Sequence, residues 1–326
     1  PHSTRPPSRA DITNAALSGA DSTAALGTKK TLKSERKADD VDARDASNPQ
    51  VRTPSLPHRV RNGDARDASN PQAVTEYVND MYAHFREKEL ETSVSPTYMR
   101  QQAHINEKMR AILIDWLVEV HLKFKLVPET LYLTVNLIDR YLLGSPVERS
   151  NLQLVGVSAL LLASKYEEIY PPELKDLVYI TDKAYTQEQI LGMEEKMVKA
   201  LKYKMTIASV HCFMMRYLKA GHADRRMVWL ASYVAERMLQ EYAMLKYLPS
   251  MVAACAVYIA RKNLGRNAWS PTLLHYAQYA ESDLHACLKD MHGVLHSTKG
   301  SLAAVKKKYS SEKYGTVATM PLKVLD

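Results

Sequence analysis

The chain has 326 residues, enough for two globular domains or for one with long tails, and 46% of them are hydrophobic. Only 11 are glycine, which favours long helices over many-stranded folds, whose turns rely on glycine. The net charge of +8 comes from interspersed acids and bases, so it reads as a generally basic surface and not as a nucleic-acid-binding stripe.

No uninterrupted apolar stretch reaches the roughly 18 residues of a membrane span. The longest candidate, Leu152 to Ser164, contains Gln153 and Ser158, stops at Lys165, and reads as a buried core helix. The chain opens Pro1, His2, Ser3 without an initiator methionine or an apolar signal core, which reads as a fragment with no secretory address. Cys212, Cys255 and Cys287 stand singly in apolar helical contexts without zinc-site spacing, as small core residues in a reducing compartment do.

From Pro1 to about Asn62 the sequence is rich in Pro, Ser, Thr, Asp and Lys and lacks periodicity. Too little apolar surface is available there to offset chain entropy, so residues 1–70 are expected to form a disordered regulatory region. The nonapeptide DARDASNPQ occurs twice within it, at Asp42 to Gln50 and at Asp64 to Gln72. The first copy runs into prolines and predicts no fold of its own. The second runs into a separate amphipathic helix over 71–92, with Ala73, Tyr77, Met81 and Phe85 four apart.

After a loop through Ser93 to Tyr98, five helices are predicted between about Asn106 and Tyr203, within a first domain of 93–205. In the first of them Met109, Ile112, Leu113, Trp116 and Val120 make one apolar stripe, and Ala111, Ile114 and Val118 a second on the opposite side. Such a helix is covered on both sides or holds one side out for a partner, and the wheel does not decide which side that is. Arg110 lies between the stripes, where an unpaired guanidinium is costly, and Asp139 is the candidate partner for a structural ion pair.

Pro128 and Glu129 open the second helix, and Gly144 and Pro146 close it. Pro171 and Pro172 divide the third from the fourth, and Thr186 with Gln189 predicts a capping box on the fifth. A second helical set follows from about Ile207 to His296, in a domain of 206–300 punctuated by Gly221, Pro249, Gly265 and Pro271. The halves echo each other at a shift of about 97 residues: Val155, Ala159, Leu162 and Ala163 match Val252, Ala256, Ile259 and Ala260, and Leu113 and Trp116 match Val210 and Phe213. The fold class is therefore all-α, two tandem five-helix bundles preceded by one helix. Gly156 and Ala159, and Ala253, Ala254 and Ala256, would let the third helix of each bundle run through its centre. A tail over 301–326, with Lys306, Lys307 and Lys308, predicts a short helix and an extended end.

No catalytic chemistry can be assembled. The sequence holds no P-loop and no kinase motifs, and its 11 histidines read as scattered surface or core residues and not as ligand pairs, so no metal or cofactor is implied. Glu167 and Glu168 are adjacent helix positions, about 100° apart, and do not converge. Function is expected to lie in binding.

Four blocks carry a family resemblance: MRAILIDWLVEV, ETLYLTVNLIDRYL, LQLVGVSALLLASKYEEIYPPE and MEEKM. Their order and spacing over about a third of the chain resemble the cyclin box of a mitotic cyclin. The flanking SNPQAVTEYVNDMY, SPTYMRQQ and EYAMLKYLPS resemble the B type more than the A type. The resemblance implies a regulatory subunit, not an enzyme, that activates a cyclin-dependent kinase, recruits substrates and controls G2/M progression in the nucleus and cytoplasm.

By the same resemblance, Lys165 and Glu194 hold the kinase's movable C helix, with Tyr166 and Tyr203 as the apolar neighbours that desolvate them; by spacing alone they could equally be solvated charges. Met109, Ile112, Leu113 and Trp116, with Glu119, Arg149, Leu152 and Gln153, would form the patch that docks Arg-x-Leu segments of substrates and inhibitors, as against a plain core-facing stripe. Arg9, Ile12 and Asn14 resemble a shortened destruction box, with Ile where Leu is usual, through which a ubiquitin ligase would act. The rival reading is a cyclin-fold nucleic-acid-binding module of the general transcription factor B type. Arg225, Arg226, Arg261 and Lys262 form no single basic stripe in its favour. A passive helical scaffold is the third reading.

Overall fold

The computed structural model describes residue 60 and residues 62–297 and 302–323. Among them there is no strand, and no helix is long and apolar enough to cross a membrane. A helix α1 (Val78–Thr92) precedes a first bundle of α2 (Glu107–Phe124), α3 (Pro128–Gly144), α4 (Leu152–Glu167), α5 (Leu174–Ile180) and α6 (Gln187–Ala200). The second bundle contains α7 (Val210–Ala220), α8 (Arg225–Leu239), α9 (Pro249–Asn263), α10 (Pro271–Ala277) and α11 (Glu281–His296), and is followed by α12 (Ala304–Tyr309). The repeat is in register: α3 and α5 begin at Pro128 and Leu174, and α8 and α10 at Arg225 and Pro271, the same distance further on.

Helix starts follow the cap chemistry of the sequence. The side chains of Asn106, Ser209, Asp224 and Ser270 accept a backbone N–H in the first turns of α2, α7, α8 and α10, and Thr186 with Gln189 forms a full capping box on α6. Pro128 and Pro249 stand at the first turns of α3 and α9, where no N–H is missed.

The two central helices are the ones the small residues allow. From Leu152 to Ser164, α4 is buried throughout except at Gln153, and α9 is buried from Val252 to Arg261. At Gly156 a Cβ would stand 2.7 Å from Leu113 Cδ1, so α2 and α4 approach at a distance that only glycine permits. Val118, Leu131 and Tyr132, from the first bundle, belong to the apolar core of the second.

Three expectations are corrected. Residues 62–70 are structured: Asp64 receives ion pairs from Arg216 and Lys219 on α7, and the Asn70 side chain accepts the Gln72 N–H at 3.1 Å. The helix predicted from 71 begins only at Val78, and Tyr77 and Met81 are exposed. Its packed side carries instead Tyr82, Phe85, Arg86 and Glu89, and Glu89 accepts the backbone N–H and the hydroxyl of Ser250 at 2.9 and 2.8 Å. Polar anchors had shifted the buried face by one position, which an apolar count does not see.

The tail is also no loose end. Ala304, Val305, Tyr309 and Val317 are core residues of the second bundle, and the Ala304 N–H donates to Asp115 on α2 at 3.0 Å, so residues 302–323 form a strap across both bundles. The first DARDASNPQ copy lies outside the described residues.

Candidate functional site

Lys165 sits in the last turn of α4, where the unsatisfied carbonyls of a helix end favour a cation. Its Nζ lies 2.7 and 2.8 Å from the two carboxylate oxygens of Glu194 on α6. The Lys165 side chain is 46% exposed and that of Glu194 13%, so the pair is anchored on one side and open on the other. Beyond it the chain leaves Tyr166, Ile169, Tyr170 and Tyr203 exposed, an unusual concentration of large apolar side chains in water.

Tyr166 and Tyr203 therefore do not desolvate the pair in the free chain, contrary to expectation. Tyr166 instead shares a 2.5 Å hydrogen bond with the Thr206 hydroxyl. Glu168 turns away from the pair: its Oε1 accepts from the Val127 N–H at 2.8 Å and the Thr130 hydroxyl at 2.5 Å at the start of α3.

On α2 the structure decides what the helical wheel could not. Ile114 and Val118 are fully buried, whereas Ile112 is 48% exposed and Met109 and Trp116 are half-buried. Leu113 and Leu152 form a buried floor, and Gln153, Arg149 and Glu119 are progressively more open to water. The patch residues are thus a partly uncovered shelf, with Glu119 3.8 Å from Lys307 of the strap, both exposed.

Arg110 and Asp139 meet in the interior, Nε to Oδ1 at 2.6 Å and Nη2 to Oδ2 at 2.7 Å. The Arg110 Nη1 donates to the Leu239 carbonyl at 3.1 Å, and the Tyr98 hydroxyl donates to Asp139 at 2.7 Å. Burial alone would lower the arginine's pKa; the Asp139 carboxylate reverses this and holds it above its ordinary value. The pair ties the segment before α2, α3 and the end of α8 to one point. Arg110 and Leu113, which spell a second Arg-x-x-Leu, are both buried in α2.

Several functional or anchoring residues escaped the sequence reading: Asp64 with Arg216, Glu89 with Ser250, and a buried trio of Glu236, Lys308 and Tyr309. Their partners lie far away along the chain, and no local pattern announces them. Burial pushes the Cys212 thiol up to about 11, and Cys255 rises well above its usual value for the same reason, leaving both thiols poor nucleophiles. Among the described residues no group of three or more His, Cys, Asp or Glu side chains could hold a metal ion. The histidines are not all scattered, however: His292 and His296 stand four apart on α11 with ring centroids 3.9 Å apart. Arg9, Ile12 and Asn14 lie outside the described residues.

The fold and both surfaces define a class. Residues 80–206 match the cyclin N-terminal domain and residues 208–323 the cyclin C-terminal domain. The chain is 47% identical over 250 residues to a G2/mitotic-specific cyclin-1 of Medicago sativa subsp. varia, covering 76% of this chain and 58% of that one. It is 46% identical over 248 residues to a G2/mitotic-specific cyclin-2 of Medicago sativa, covering 76% of each. A viral cyclin from herpesvirus saimiri shares the fold with a TM-score of 0.58 at 18% identity, over 65% of this chain and 96% of that one. The chain thus spans little more than half of the first of these relatives. It belongs to the cyclins, within the mitotic B-type group.

Proposed function

We propose that this chain is the regulatory subunit of a cyclin-dependent protein kinase and acts at the G2/M transition. The observation that carries the reading is the Lys165–Glu194 pair, held at the end of α4 and ringed by uncovered Tyr166, Ile169, Tyr170 and Tyr203. A partner that covered these side chains would remove the pair from water and leave its remaining donors and acceptors to satisfy main-chain groups at the end of the kinase's C helix. A rigid helical body that binds only the swung-in position of that helix shifts the kinase toward its active state without supplying a catalytic atom.

The shelf on α2 is the second surface of the same function. Ile112 and Trp116 offer apolar area, and Glu119 a carboxylate for the arginine of an Arg-x-Leu segment. Action in the nucleus and cytoplasm, and removal by a ubiquitin ligase through the sequence around Arg9, Ile12 and Asn14, complete the reading.

The test is reconstitution with a purified cyclin-dependent kinase. Lys165→Ala combined with Glu194→Ala is expected to abolish pairing and activation while the helical circular dichroism is unchanged. Full activation by a folded double variant refutes the proposal. A salt titration against duplex DNA separates the nucleic-acid alternative, since such binding weakens steeply with ionic strength.

A further inference from the structure

The kinase reading leaves one polar cluster unused, on the last helix of the second bundle. His296 is placed with Nδ1 3.0 Å from the His292 carbonyl oxygen and Nε2 3.3 Å from the Leu322 carbonyl oxygen of the strap. A neutral imidazole has one N–H and can donate to only one of them. With Nδ1 donating to the nearer oxygen within the helix, the Nε2 lone pair faces a second lone pair on Leu322. His292 adds a deficit of its own, because its Nε2 is buried without a hydrogen-bond partner.

Two imidazole nitrogens and one carbonyl oxygen thus share a single demand, for positive charge. A proton on His296 would satisfy that ring and Leu322, but it would leave His292 Nε2 unpaired and set an imidazolium against a ring 3.9 Å away. A divalent ion answers all three groups at once.

We propose that His292, His296 and the Leu322 carbonyl form a binding site for a zinc-class divalent metal ion. Histidines four apart on a helix project from one face, as two-histidine metal motifs require, and imidazole ligands suit zinc, copper and nickel. The bond from His296 Nδ1 to the His292 carbonyl is the outer contact that orients a ligating ring and leaves Nε2 free. No carboxylate completes the set, so water fills the remaining positions and the ion exchanges readily. The ion fastens the end of the strap to α11, close to where the Lys323 N–H donates to Asn263 at 2.7 Å.

The full chain, kept reduced, is titrated with zinc chloride by calorimetry and examined with copper(II) by electron paramagnetic resonance. One ion per chain is expected, with affinity falling at least about tenfold in His292→Asn and in His296→Asn. Affinity should be unchanged in His285→Asn, an exposed histidine of the same helix. The copper spectrum should show coupling to two imidazole nitrogens in the natural chain and to one in each variant. Equal zinc affinity in all the proteins, or a natural-chain copper spectrum without two-nitrogen coupling, overturns the site.

Discussion

Lys308 of the strap lies with its Nζ 2.7 and 2.8 Å from the two carboxylate oxygens of Glu236 on α8, and both side chains are almost wholly buried. The Tyr309 hydroxyl donates to the same carboxylate at 2.7 Å, so the glutamate is fully engaged inside the second bundle. A buried pair of this kind adds little net stability over an apolar replacement, but losing one partner strands the other. Lys308→Met alone is therefore expected to cost about 3–5 kcal/mol. Lys308→Met with Glu236→Leu should cost much less than the single change. Urea unfolding of the two variants checks the order; a double variant weaker than the single one contradicts it.

Gly156→Ala places a methyl 2.7 Å from Leu113 Cδ1, and Leu113 forms part of the floor under the α2 shelf. Overpacking is expected to lower stability by about 1–3 kcal/mol, the lower end applying if the leucine end rotates away. Because that rotation disturbs the shelf, docking of an Arg-x-Leu peptide should weaken with it. Thermal melts and peptide titration on the same sample test the coupling.

His121 sits fully buried in α2, with Nε2 2.9 Å from the Val127 carbonyl and Nδ1 unpartnered. Burial, reinforced by the nearby Lys308 charge, lowers its pKa from 6.5 to about 4, while the Val127 contact and Glu236 oppose the shift. A depressed histidine favours folding while it is neutral, so its contribution is complete above pH 6.5. It is lost as pH falls from 6.5 towards 4, by about 3 kcal/mol in all. His211, also lowered first by burial, acts in the same direction. His121→Leu should flatten the stability profile across this window; an unchanged slope argues against the assignment.

Trp116→Ala should leave activation of the kinase intact towards a short peptide that lacks a docking segment. For a substrate bearing Arg-x-Leu, binding should weaken by at least about 2 kcal/mol, roughly thirtyfold. Competition with a docking peptide distinguishes the two effects, and loss of both activities together would place Trp116 in the fold and not in recognition.

Much of this architecture was legible in the sequence because its signals are local. Pro128, Pro249 and Pro271 mark helix starts, Thr186 and Gln189 announce a cap, and the Gly156 and Ala253 regions betray close-packed central helices. The offset between the bundles could be read directly for the same reason. Long-range polar pairs resisted: Asp64 with Arg216, and Glu236 with Lys308, lie far apart along the chain, and Lys308 was hidden among three consecutive lysines. The α2 shelf needed coordinates because both sides of the helix are apolar, and only the placement of Ile114 and Val118 against the second bundle leaves Ile112 outside. The Lys165–Glu194 contact is geometric fact, but its partner-facing side is recognised from the uncovered tyrosines beside it.

Val118, Leu131 and Tyr132 are counted in one bundle by sequence and in the other by their neighbours. The duplicated halves consequently cannot behave as beads on a string. A fragment ending at residue 205 would present these three side chains to solvent, and its counterpart would carry the matching hollow. Heat or denaturant should take the whole body apart in one cooperative step, so a lesion in either repeat is felt at surfaces on the other.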